Sequence, residues 1–201
     1  MLAGRLALTN RRAGCALALA RRTAARQAGA PAARPAAAAA NPPKFELVQG
    51  KKWIVEHQVG NRELIIDDCS PKMSVYVYGC KDSVIQIKGK VNNIVLDSCK
   101  KTGLVFADAM ASFEAVNCQS VQVQVTGRCP TFAVDKTDGF QLYLSEECMD
   151  AAITTAKSSE MNVTVPAAEE GDDPVETPLP EQFITKYEKG AWVTVPVEHA
   201  A

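Results

Sequence analysis

Cys80, Cys99 and Cys118 recur at a fixed interval of 19 residues (99 minus 80, 118 minus 99), and the interval is not confined to the cysteines. Written in rows of that length, the chain sets Ile85 over Leu104, Val123, Leu142 and Met161, and Ile87 over Phe106, Val125, Leu144 and Val163. A second pair of columns reads Val75, Ile94, Phe113, Phe132, Ala151 and then Val77, Leu96, Ala115, Val134, Ile153. The members of each pair are two residues apart, the period at which the side chains of a strand return to one face. Each row therefore holds two short strands. Turn residues such as Lys88-Gly89-Lys90, Thr126-Gly127 and Asp97-Ser98 separate them, with Gly79, Gly103 and Gly139 near the other corner. At roughly 3.3 Å per residue a row closes a perimeter of at most about 60 Å, and successive rows stack as parallel strands. The fold expected is all-β: a right-handed parallel β-helix of about six coils.

Cysteines suit the corners of such a coil, because small, weakly polar side chains stack well there. Val91, Met110, Cys129 and Cys148 form a second column of the same kind. The total of seven is odd and no secretory hydrophobic run is present, so reduced thiols are expected rather than disulfides. No CxxC pair occurs, and His57 and His199 lie far from the cysteine columns, so neither a metal nor a cofactor is expected.

The charge pattern divides the chain. Residues 1–43 carry seven arginines, long alanine runs and no acidic residue, a composition that resembles an organellar transit segment or a low-complexity linker. From Lys44 onward there are 15 basic and 23 acidic residues, a net of −8, which disfavours nucleic acid as a partner. No stretch reaches the roughly 18 apolar residues that span a membrane. The solenoid is expected over 44–166, with residues 45–48 and 53–55 in its first coil. Residues 64–66 match 85–87 at an interval of 21, so early coils vary in length. Residues 167–180, acidic and proline-containing, read as an extended linker. Residues 181–201 read as a hairpin turning at Glu188-Lys189-Gly190. A lone hairpin is marginal in water, so it must add to another edge, its own solenoid's or a partner's.

The segments PPKFELVQGKKWIVEHQVGNRELIIDDC, VYVYGCKDSVIQIKGKVNNIVLDSCKKTGLVF, KTDGFQLYLS and TAKSSEMNVTVP resemble the C-terminal domain of the cyclase-associated proteins, over residues 42–201. The resemblance implies a parallel β-helix that dimerises by exchanging its C-terminal hairpin. It further implies a cytoplasmic, cytoskeleton-associated domain that binds ADP-bound actin monomers and promotes exchange of ADP for ATP on them, with an adenylyl cyclase link by family alone. Actin contacts carried onto this chain by the resemblance are Lys88, Lys90, Asp97, Lys100, Lys101, Asp108, Lys136, Asp138, Ser158, Ser159 and Glu160. Dimer contacts are Phe183, Tyr187, Trp192, Val193 and Val195. Independently, strand alternation places Gln86, Val105, Gln124, Tyr143 and Asn162 on the outside of one strand stack, with the lysines at its turns. Repeated lysines on a rigid sheet suit an acidic partner such as actin.

Cues for bond chemistry are missing. Neither GxxxxGK[ST] nor GxSxG occurs, and Asp67-Asp68 reads as a solvated strand end. Asn162-Val163-Thr164 matches a glycosylation sequon by chance. The chain is therefore expected not to be an enzyme. One alternative is a β-helix of the tubulin-cofactor-C type, which acts on a small GTPase through an exposed arginine; Arg62 and Arg128 are the arginines of the repeat region. A polysaccharide lyase or hydrolase would need more coils. Of the regions that precede this domain in the family, only Pro42-Pro43 is recognisable.

Overall fold

The computed structural model describes residues 41–167 and 172–197, so the reading of the leader falls outside the described residues except at 41–43. In chain order the strands are β1 (Lys44–Val48), β2 (Lys52–Glu56), β3 (Leu64–Ile66), β4 (Ser74–Tyr78), β5 (Val84–Asp97), β6 (Gly103–Val116) and β7 (Gln119–Val125). There follow β8 (Thr131–Asp135), β9 (Asp138–Tyr143), β10 (Ala152–Ala156), β11 (Ser159–Val165), β12 (Val175–Pro178), β13 (Phe183–Glu188) and β14 (Ala191–Pro196). Among the described residues the only helical element is one 3-10 turn, Glu146–Cys148.

Parallel pairing builds two faces of a flattened solenoid. The first face stacks β3, the start of β5, the start of β6, β7, β9 and β11. The second stacks β2, β4, the end of β5, the end of β6, β8 and β10. The long strands β5 and β6 run through both faces and bend at irregularities between Ile87 and Asn93. The apolar columns meet in the interior: Ile85, Leu104, Val123 and Leu142 are in register, as are Val75, Ile94, Phe113 and Phe132, and all are buried. Phe113 lies against Phe106, Phe132 and Phe140 with ring centroids 6.0, 5.8 and 6.2 Å away, a chain of aromatic contacts along the solenoid axis.

Four expectations are corrected. The last coil is 21 residues long: Leu142 pairs with Val163 and Phe132 with Ile153, where a 19-residue frame assigned Met161 and Ala151. The 3-10 turn lies within the stretch that takes up the two extra residues. For the same reason Asn162 stands beside Gln141, while Tyr143 faces Thr164. Val91 pairs with Ala109 rather than Met110, because the bulged bend shifts the register by one and leaves Met110 half exposed. Residues 45–48 and 53–55 do not make a coil: β1 folds back antiparallel on β2 through a reversal in which Gln49 and Gly50 both have positive φ. Lastly, the stretch read as a linker contains β12, antiparallel on β11.

β1 covers the first edge of the second face and β12 the last edge of the first, so each hides a row of unpaired backbone groups. β10 has β8 as its one partner, leaving the final edge of the second face open, with Ile153 and Thr155 half buried beneath it.

Candidate functional site

The corner that carries the cysteines has a four-residue rule. Its first and last residues are left-handed in every coil: His57 and Gly60, Gly79 and Asp82, Ser98 and Lys101, Asn117 and Ser120, Lys136 and Gly139, Lys157 and Glu160. Two such residues turn the chain tightly from the second face into the first. The second residue, Gln58, Cys80, Cys99, Cys118, Thr137 or Ser158, points inward and donates to two strand carbonyls. Cys99 Sγ reaches Asp97 O at 3.4 Å and Val77 O at 3.8 Å; Thr137 Oγ1 reaches Asp135 O at 3.2 Å and Ala115 O at 3.5 Å. Gln58 Nε2 serves Lys44 O at 2.9 Å, and Ser158 Oγ serves Ala156 O at 2.9 Å. Cysteine is thus one of several interchangeable donors. Neighbouring thiols and burial raise the Cys99 thiol, which stays protonated, and burial pushes Cys129 up to about 11. All the described cysteines are free, and no group of three His, Cys, Asp or Glu among the described residues can hold a metal.

The third and fourth residues of each corner face outward and form the candidate surface. Parallel bridges join Val59, Lys81, Lys100 and Gln119 in one column. Lys100 and Lys101 are exposed here, with Lys136 at the start and Asp138 at the third place of the corner two coils on, and Ser159 and Glu160 one coil beyond that. Lys81, Lys100, Lys101 and Lys157 are in no ion pair among the described residues; Lys136 approaches Asp135 only at 3.9 Å.

The site residues named from sequence divide into two groups. Lys100, Lys101, Lys136, Asp138, Ser158, Ser159 and Glu160 share this corner, and Asp97 adjoins it. Lys88, Lys90 and Asp108 lie at the opposite, bulged corner, where Lys90 pairs with Asp108 and Asp108 Oδ1 accepts the N–H of Arg128 at 2.9 Å. Several of the polar groups are already engaged. Ser158 Oγ is turned inward, Asp138 Oδ1 accepts from Ser159 Oγ at 2.7 Å, and Asp97 takes the hydroxyls of Tyr76 and Ser98. Sequence reasoning passed over Lys81, Asp82 and Lys157, and weighed Arg62 only for action on a GTPase. The first two are detectable in the sequence, since they stand 19 residues before Lys100 and Lys101. Arg128 is held by Asp150 at 2.7 Å, whereas Arg62 has no ion-pair partner among the described residues.

The C-terminal hairpin of β13 and β14 turns on Lys189 and Gly190, both with positive φ as a tight two-residue hairpin requires. Register puts Phe183, Tyr187 and Trp192 on one face and Ile184, Val193 and Val195 on the other. All six are exposed, Trp192 by 72 %. Tyr187 and Trp192 meet edge to face at 5.3 Å, and the backbone N–H of Glu160 donates to Glu181 Oε1 at the root of the arm.

A family profile described as "Adenylate cyclase associated (CAP) C terminal" matches residues 41–199. The chain belongs to the cyclase-associated protein family. It is 53 % identical to Cyclase-associated protein 1 of Arabidopsis thaliana over 167 residues, 83 % of this chain and 35 % of that protein. With the adenylyl cyclase-associated protein of Dictyostelium discoideum it shares 50 % identity over 143 residues, 71 % of this chain and 31 % of the relative. The chain thus spans about a third of the length of these relatives. The solved structure of cyclase-associated protein from Cryptosporidium parvum superposes with a TM-score of 0.71 at 34 % identity, covering 78 % of this chain and 96 % of that one. Family membership agrees with the parallel solenoid reached from the 19-residue interval.

Proposed function

We propose that this domain binds actin monomers, preferring the ADP-bound form, and promotes exchange of their ADP for ATP, with two copies joined through their C-terminal arms. The observation that carries the reading is the cysteine-side corner, where Lys81 and Lys100 stand in one bridged outward column with Lys101 beside them, none of the three in an ion pair among the described residues. Unneutralised charge at fixed spacing steers and orients an acidic partner. The work is binding alone. A partner speeds nucleotide release only by favouring a conformation with a looser nucleotide cleft, that is, by differential affinity. Catalysis by this chain plays no part in the reading.

The arm supports the dimer. A two-stranded ribbon with apolar side chains on both faces cannot satisfy them against water, and the open edge of β10 offers unpaired backbone groups to a second copy. Contacts expected across the pair are Phe183, Tyr187, Trp192, Val193, Val195 and also Ile184. Adenylyl cyclase, present in the relatives' names, is a further partner to test, and the setting proposed is cytoplasmic and cytoskeletal. No helix among the described residues is long and apolar enough to cross a membrane.

The test is ADP-to-ATP exchange on actin monomers with the full chain, beside a Lys100→Glu, Lys101→Glu double variant. Acceleration by the wild type that the variant loses is the expected result. Equal acceleration by both removes the lysine column from the site, and none by either removes the reading.

A further inference from the structure

Where the cysteine-side corner meets the first face, a groove of about 430 Å³ opens beside Arg62, Asp82, Lys101 and Ser120. Its floor is the column Val84, Gly103, Gln122, in register across three coils. Gly103 makes the depression. Its φ is not positive, and an added Cβ would meet nothing closer than Val84 Cγ2 at 3.4 Å, so the missing side chain leaves space without serving the backbone turn.

Two hydroxyls at the groove are spent on the corner itself. Ser83 Oγ donates to Lys81 O at 2.8 Å, and Thr102 Oγ1 to the carbonyls of Cys80 and Lys100 at 3.2 Å. The rest are uncommitted: among the described residues Arg62, Lys101 and Asp82 are in no ion pair, although they share one groove. The groove therefore presents two cations against one anion, a hydroxyl and an amide over a narrow neutral floor. No aromatic ring lines it to stack a nucleotide base. A single carboxylate on a flexible stem fits this chemistry, because a guanidinium fork and an ammonium both make charge-assisted hydrogen bonds to it.

We propose that the groove is a specificity pocket that seats an aspartate or glutamate side chain of the bound actin monomer between Arg62 and Lys101, over Gly103. The inference rests on the actin reading above and deepens it. The lysine column brings the monomer in by long-range charge, whereas the groove fixes its position along the solenoid.

Binding of ADP-actin monomers to the full chain, measured by calorimetry at low and at moderate salt, tests it. The variants are Arg62→Ala, Arg62→Lys, Gly103→Ala and, as an exposed cation away from this corner, Lys72→Ala. Expected are a loss of roughly tenfold for Arg62→Ala with a flatter salt dependence, partial recovery for Arg62→Lys, and no change for Lys72→Ala. Gly103→Ala weakens binding with every charge in place, its thermal midpoint confirming the fold. Wild-type binding that Arg62→Ala and Gly103→Ala both leave within about twofold overturns the groove while sparing the actin reading. Absence of wild-type binding overturns the actin reading and the groove with it.

Discussion

Tyr76 reaches across one coil to set its hydroxyl 3.0 Å from Oδ2 of Asp97, whose other oxygen accepts the hydroxyl of Ser98 at 2.8 Å. Lys52 Nζ lies 4.5 Å from the centre of the same ring, and Tyr78 stacks beside it at 6.1 Å. Burial, and then the hydrogen bond to Asp97 and its charge, push the phenol up to about 12. The native form is the protonated one. Its contribution to stability is therefore complete below the ordinary phenol value of about 10 and disappears as pH rises through about 12. Phenolate absorbance should show one late-titrating tyrosine, absent in Tyr76→Phe. The unfolding midpoint should also fall less steeply over that window in the variant; equal steepness would separate Tyr76 from the effect.

Phe113 is fully buried and touches three other phenylalanines, so no neighbour can collapse into its place without losing a contact elsewhere. Phe113→Ala should cost about 3–5 kcal/mol in equilibrium urea unfolding. A loss near 1 kcal/mol would indicate that the coils slide to fill the gap.

At the corner, the identity of the inward side chain matters less than its ability to donate. Cys99→Thr restores the group found at Thr137, whereas Cys99→Val leaves the carbonyls of Val77 and Asp97 without that donor. The valine variant should be less stable than the threonine variant by about 1 kcal/mol, read from paired denaturation curves. The reverse order would make size, rather than hydrogen bonding, the property that keeps cysteine here.

Sedimentation of the full chain follows the arm. Trp192→Ala removes the most exposed large ring of the hairpin, and a dimer held through both hairpin faces should then dissociate at roughly tenfold higher protein concentration. Circular dichroism of the solenoid should not change. A variant that stays as dimeric as the wild type would place the contact on another surface.

The solenoid was legible because its signal is repeated: a two-residue alternation inside a 19-residue frame fixes which side chains point inward, and Ile85, Leu104, Val123 and Leu142 fall into register as read. What breaks the frame was not legible. The two extra residues near the 3-10 turn displace Met161 and Ala151, and the bulge beside Val91 turns Met110 outward, since neither leaves a periodic trace. β1 and β12 each occur once, and a strand that pairs antiparallel to close an edge looks in sequence like any short apolar run or linker. The candidate site was half legible. Lysines were recognisable as a class, but only the coil geometry separates Lys100 and Lys101 from Lys88 and Lys90, or turns Ser158 inward while leaving Lys81 outside.

The two antiparallel caps stand outside the 19-residue frame, one at each end of the stack. The interior coils are therefore interchangeable lengths. Excising residues 100–118 would join Cys99 to Gln119 and leave each strand beside a neighbour of the same kind, with β1 and β12 still on the edges they cover. The corner column then works as a graduated scale with marks about 4.8 Å apart, on which a partner can be set one division along but never between divisions.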